Sequence, residues 1–230
     1  MPTKKTAHPR RKRNSQRGDP RGSIIRLRPE YEDRYIILHR HVFPAVLRQI
    51  RRSSIRNYSI FLHEKMLFAF FEYSGKNFDA DMQAMAADAV TRDWWKLTEP
   101  MQEPLPERKE GEWWTSLTML LRMLQASPAP HRYAFVSRIR PGAENELRQA
   151  CASVSPALTR LVASSRFRNI HLYLLDGIAY LYFEYAGRSL QADALRLSAH
   201  GPFADWRETV EKHFDPERGW ESMEEVFHTA

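Results

Sequence analysis

A single cysteine, Cys151, among 230 residues rules out an intrachain disulfide and fits a reducing compartment, which points to the cytoplasm. No run of 18 apolar residues occurs, so nothing in the sequence reads as a membrane-spanning helix. The N-terminal segment lacks the apolar core of a secretory signal. Also missing are a glycine loop that would cradle phosphate, a metal-ligand spacing and a serine or cysteine triad. No cofactor and no metal is therefore expected.

Net charge is missing from most of the chain as well. The formal total is +7. Residues 1–23 hold eight basic side chains (Lys4, Lys5, Arg10, Arg11, Lys12, Arg13, Arg17, Arg21) and one acid, Asp19, leaving 27 basic and 27 acidic residues elsewhere. A neutral body argues against nucleic-acid binding through the folded part, whereas the tail is suited to touching polyanions. Composition sets off a disordered basic tail, 1–22, and the internal repeat divides the rest into a first unit, 23–126, and a second, 127–230.

What is present is a pattern that occurs twice. The first unit reads as a strand at Ser23–Arg28, a helix over Glu30–Arg51 and strands at Arg56–Leu62 and Met66–Tyr73. Asn77 then caps a helix to about Ala87, and a shorter helical piece carries Trp94-Trp95. A proline-containing loop and a strand at Trp113–Leu121 complete it. This β-α-β-β-α-β order is the ferredoxin-like split unit. Shifted by about 112 residues, the chain falls on itself: Arg28-Pro29 on Arg140-Pro141, Pro44 on Pro156, Arg56-Asn57 on Arg168-Asn169, Phe71-Glu72-Tyr73 on Phe183-Glu184-Tyr185. Trp114–Leu120 matches Trp220–Val226 once the preceding loop is shortened. Leu124–His131, with two prolines, reads as the linker. Two such units, each with one apolar sheet face, are expected to bury those faces together as an internal pseudo-dimer, a dimeric α+β barrel in one polypeptide.

The mismatches fall on chemically capable side chains. Tyr35 becomes Leu147, His39 becomes Cys151, Tyr58 becomes Ile170 and Trp95 becomes Arg207, while Trp94 persists as Trp206 and Asp88 becomes His200. Tyr35 and His39 are four apart and share a helix face, and a strand opening at Tyr58 returns beside them. An imidazole among phenols suits proton transfer on a hydroxylated substrate. Indoles at Trp94 and Trp95 offer flat apolar surfaces to a pyranose. Asp88 reads equally as a helix cap or a ligand. Cys151 reads as a small buried residue more readily than as a thiol replacing the imidazole. The second copy keeps the fold and has lost the site.

With Tyr35, His39, Pro44, Asn57-Tyr58, Glu72, Asp88 and Trp94-Trp95-Lys96 in order, residues 23–121 resemble the L-rhamnose mutarotases, and 132–228 do so more weakly. The resemblance implies a ferredoxin-like dimeric α+β barrel and a small monosaccharide substrate. It implies interconversion of sugar anomers without a cofactor, His39 as acid/base and proton donor, and sugar contacts from Tyr35, Tyr58, Trp94 and Trp95. The sequence departs from the family at His39-Arg40-His41-Val42-Phe43-Pro44-Ala45, where His-Asn-x-x-Trp-Pro-Glu is usual. A non-catalytic sugar-binding or regulatory module on the same fold is the alternative. A monooxygenase or haem-related protein is a third reading, because this fold hosts many chemistries.

Overall fold

The computed structural model describes residues 18–123 and 129–230. The basic cluster at Arg10–Arg13 and linker residues 124–128 lie outside the described residues.

Apolar and β-branched runs form strands where the sequence places them, with one early start. The first strand, β1, spans Asp19–Leu27 rather than beginning at Ser23. Asp19–Gly22, grouped with the tail by composition, pair with Tyr73–Phe70. The next two strands, β2 (Ile55–His63) and β3 (Met66–Tyr73), form a hairpin.

Between β1 and β2 the expected single helix is two: α1, Glu32–Arg40, and α2, Pro44–Arg52. Pro44 has no N–H to donate and pushes Phe43 into an extended conformation, φ −56° and ψ 131°. The apolar stripe Leu38, Val42, Val46, Ile50 runs across this break and hides it in the sequence. Two helices follow β3: α3, Phe78–Ala87, and α4, Ala89–Thr98. Asn77 Oδ1 accepts from the Ala80 amide at 3.1 Å, and Asp88 Oδ1 from the Thr91 amide at 2.8 Å. Asp88 is a cap.

A two-residue strand, β4 (Gln102–Glu103), adds to β1. The final strand of the first unit starts at Thr115, after Trp113-Trp114, as β5 (Thr115–Ser116) and β6 (Thr118–Met123). The second unit repeats the order. It comprises β7 (His131–Arg138), α5 (Glu144–Ala152), α6 (Pro156–Ser164), β8 (Phe167–Leu175), β9 (Ile178–Tyr185), α7 (Leu190–Ser198), α8 (Gly201–Glu211) and β10 (Glu221–Thr229).

The two units share strands. β5 pairs with β1 of its own unit, but β6 continues onto β8 of the other. Reciprocally, Glu221–Met223 of β10 pair with β7, while Glu224–Thr229 pair with β2 of the first unit. The circuit β1-β3-β2-β10-β7-β9-β8-β6 returns to β1 through β5, closing a dimeric α+β barrel with antiparallel pairing throughout. Helices cover its outside. Aromatic side chains fill its interior, with Phe70 stacked on Tyr182 at 3.7 Å between ring centroids and Phe68 on Tyr180 at 5.4 Å. Gly22 leaves the space that the Tyr173 ring occupies, since a Cβ there would sit 2.9 Å from Tyr173 Cδ1.

At the pseudo-twofold the repeated Arg-Asn and Phe-Glu-Tyr motifs meet. Asn57 and Asn169 are left-handed, φ 49° and 51°, each at a register shift in its strand. Asparagine tolerates that conformation, and the irregularity aims both amides inward. Asn57 Nδ2 donates to Glu72 Oε1 at 3.0 Å and to Glu184 Oε1 at 2.7 Å. Asn169 Nδ2 donates to the same two oxygens at 2.9 and 2.8 Å. His171 Nε2 lies 2.8 Å from Asn169 Oδ1. Each carboxylate is thus bound by amides from both units, and both are buried.

Asn169→Asp keeps size and backbone preference but replaces the donor with a third carboxylate beside two others. It is expected to destabilise the fold by about 3 kcal/mol at neutral pH. Urea unfolding reads this out, and an unchanged midpoint would mean the amide lattice does not hold the units together.

Candidate functional site

A cavity of about 680 Å³ opens between the barrel wall of the first unit, its helices α2 to α4, and the loop at Glu110–Trp114. His39, Tyr58, Trp94 and Trp95 all line it. Tyr35 does not. That side chain is fully buried, and its ring lies against the His39 imidazole at 3.9 Å with 26° between planes. The i,i+4 spacing placed both residues on one face but left depth undetermined.

His39 sits in the last turn of α1, which packs across β10. The break before Pro44 ends the helix there and leaves the imidazole at the cavity wall. Its Nδ1 lies 2.9 Å from the Tyr35 carbonyl oxygen. A carbonyl only accepts, so Nδ1 carries the proton and Nε2 presents a lone pair. Burial drives the His39 pKa down to about 4, against a smaller upward pull from the Tyr35 carbonyl. The ring is therefore neutral near pH 7, with Nε2 able to accept a proton. Burial raises Tyr35 well above the ordinary phenol value, helped by the neighbouring Tyr58, while the Gln102 amide pulls the other way. Burial also raises Tyr58. Both phenols stay protonated.

Three further rings fix the imidazole and its surroundings. Trp94 meets it edge-on at 5.3 Å, Phe43 meets Trp94 at 5.3 Å, and Phe227 approaches His39 at 5.9 Å and Tyr58 at 5.4 Å. Phe43 therefore packs on Trp94 from the position where the resemblance leads one to expect an indole. Phe227 belongs to β10, so the second unit supplies part of the first unit's wall. Sequence reasoning missed it because an apolar residue in an apolar strand carries no mark of its partner.

It also missed Gln102. Trp113 Nε1 donates to Gln102 Oε1 at 2.8 Å, and Gln102 Nε2 to the Tyr35 hydroxyl at 3.4 Å. This relay ties the loop at the cavity mouth to the ring beneath His39.

At the equivalent positions the second unit carries an apolar cluster. Leu147 and Cys151 are buried in an aliphatic cluster with Leu121, Leu158 and Val162, and partly buried Ile170 packs against it. Burial pushes the Cys151 thiol up to about 11, so it stays protonated at neutral pH. Trp206 Nε1 donates to the Ala150 carbonyl at 3.3 Å. The surviving indole serves packing there.

Two stretches, residues 21–123 and 132–229, match the family model described as L-rhamnose mutarotase. A protein named L-rhamnose mutarotase from Oceanobacillus iheyensis is 26% identical over 85 residues, which cover 36% of this chain and 79% of that one. One of the same name from Listeria monocytogenes is 31% identical over 86 residues, 36% of this chain and 80% of that one. A solved structure from Lactobacillus acidophilus, described as a candidate monooxygenase, superposes with a TM-score of 0.55 at 9% identity. It covers 92% of this chain and 96% of that one. That likeness is one of fold alone.

NMR titration of the His39 ring is expected to show an Nδ1–H tautomer and a midpoint near pH 4. Because the folded value lies below the ordinary 6.5, the unfolded chain takes up this proton first. Its contribution to stability is complete above about pH 6.5 and is lost as pH falls towards 4. A midpoint near 6.5 would mean the imidazole is not buried as described.

Proposed function

Since the chain belongs to the L-rhamnose mutarotase family, we propose that it interconverts the α and β anomers of L-rhamnose or a related aldose at a single site in its first unit. The observation that carries this reading is the neutral His39, with Nε2 free of the carbonyl that holds Nδ1, on the wall of an aromatic cavity.

Anomer exchange needs one proton removed from the anomeric hydroxyl and one delivered to the ring oxygen. His39 Nε2 takes the hydroxyl proton. The C1–ring oxygen bond breaks as the imidazolium so formed delivers that proton to the ring oxygen, with the Tyr58 hydroxyl donating a hydrogen bond to the sugar. The open-chain aldehyde turns about C1–C2. Closure on the other face reverses both transfers, so the histidine ends as it began. No redox step occurs, and nothing in the sequence requires a cofactor.

The other residues act in support. Tyr58 holds a protonated hydroxyl at the cavity and is assigned as a hydrogen-bond donor to sugar oxygens. Trp94 and Trp95 are assigned to the C–H face of the pyranose. Tyr35, sealed behind the imidazole, is assigned as a positioning residue: its carbonyl fixes the tautomer and its ring sets the imidazole plane. Phe43 and Ala45 stand where the family usually carries an indole and a carboxylate, so sugar preference is expected to differ from that of relatives with the full motif.

Saturation-transfer NMR on L-rhamnose measures exchange directly. His39→Gln is expected to lower the enzyme-catalysed rate by about 100-fold or more. Tyr35→Phe keeps the carbonyl and is expected to change it little. Rhamnose binding without exchange by the wild-type chain would favour the regulatory module, and equal exchange by His39→Gln and wild type would remove His39 from the mechanism.

A further inference from the structure

The far end of the barrel carries a second cavity, of about 360 Å³, which shares no lining residue with the first. His63 and Glu64 reach it from the β2–β3 hairpin, and Glu221 from the first residue of β10. The hairpin is well fixed. Glu64 and Lys65 are left-handed at φ 44° and 66°, the Leu27 amide donates to the Lys65 carbonyl at 2.7 Å, and the Lys65 ammonium binds Glu32. Three donor atoms, one each from His63, Glu64 and Glu221, lie within 4.8 Å of one another. Among the described residues no other such trio of histidine, cysteine or carboxylate groups occurs.

The geometry suits a shared cation. His63 Nε2 lies 3.0 Å from Glu221 Oε2. Two donors each about 2.1 Å from zinc stand about 3 to 3.5 Å apart, depending on the angle between them. Glu64 has an exposed side chain on the turn, with a carboxylate oxygen within 4.8 Å of the other two donor atoms. One neutral imidazole and two carboxylates leave a divalent ion electrically balanced. Arg26, Arg138 and Arg218, which line the same cavity, then face no net positive charge from the ion. The cavity leaves room for water at the remaining coordination positions, so the site would be open rather than closed.

The repeat supplies an internal contrast. At the equivalent positions of the other copy stand Leu175, Asp176 and Thr115, which retain one potential ligand of the three. A pairing made only to join hairpin to strand would not require this difference between the two ends of the pseudo-twofold.

We propose that His63, Glu64 and Glu221 bind one zinc ion, joining the β2–β3 hairpin of the first unit to the last strand of the second. The proposal is independent of the sugar reading. Its ligands come from hairpin and strand ends about 157 residues apart in sequence, a separation no short motif reveals.

The test uses the full chain, freed of metal with a chelator and titrated with zinc chloride by calorimetry, with thermal unfolding followed in parallel. Wild type is expected to take up one zinc per chain, with the unfolding midpoint raised by about 5 °C at saturating metal. His63→Gln and Glu221→Gln are expected to lose both effects while keeping the metal-free circular dichroism of wild type. Glu64→Gln is expected to bind more weakly, and His41→Gln to bind as wild type does. Absence of uptake by wild type overturns the proposal, as does unchanged uptake by His63→Gln. Uptake retained by Glu221→Gln overturns the link between units. Anomer exchange equal with and without zinc is expected, so failure here and failure of the His39 mechanism are read separately.

Discussion

The last strand of each repeat pairs with a strand of the other, β6 with β8 and β10 with β2, and much of the structure follows from that exchange. An unpaired edge in either unit would leave a row of backbone donors and acceptors without partners. Here the end of β6 completes the second unit's sheet and the end of β10 completes the first's. Closure turns two half-buried sheets into one barrel whose interior is packed by rings from both copies. The amide and carboxylate lattice at the pseudo-twofold repeats the theme in side chains, with each glutamate held by asparagines of both units. Neither copy has a complete sheet without the other.

Duplication within one polypeptide allows what two identical subunits do not: the halves can specialise. The first keeps an open cavity with a neutral imidazole. The second fills the same region with Leu147, Cys151 and Ile170, which adds to its core. Yet the second half is more than a scaffold for the first, because its last strand lies under α1 and brings Phe227 against His39 and Tyr58. The same strand brings Glu221 to the opposite end of the barrel. One exchanged strand thus reaches both cavities.

Much of this was legible in the sequence, and the limits have physical causes. Residue type and spacing gave β3 its bounds, gave Asn77 its capping role, offered Asp88 as a cap or a ligand, and showed which copy retained the chemical side chains, because these depend on local pattern. The helix break before Pro44 was masked by an apolar stripe whose spacing happens to continue through it. Tyr35 was placed on the face it shares with His39 but its depth was left open, since periodicity specifies direction and says nothing of distance from solvent. The protonation of His39 depends on burial and on one backbone carbonyl, neither of which a residue list contains. Strand alternation tells which side faces inward but not which neighbour supplies the next hydrogen bond. For that reason the exchange, and Phe227 with it, emerged only from the fold.

The account's central claim is that the working site of the first unit is completed by the last strand of the second. The most direct measurement compares catalysed rhamnose anomer exchange in Phe227→Ala and in Leu121→Ala, its counterpart in the other half, each corrected for folded fraction. Both side chains are buried, so both variants carry a packing cost. The account predicts that Phe227→Ala lowers exchange by about tenfold or more while Leu121→Ala stays near wild type. Equal rates in the two variants would contradict it.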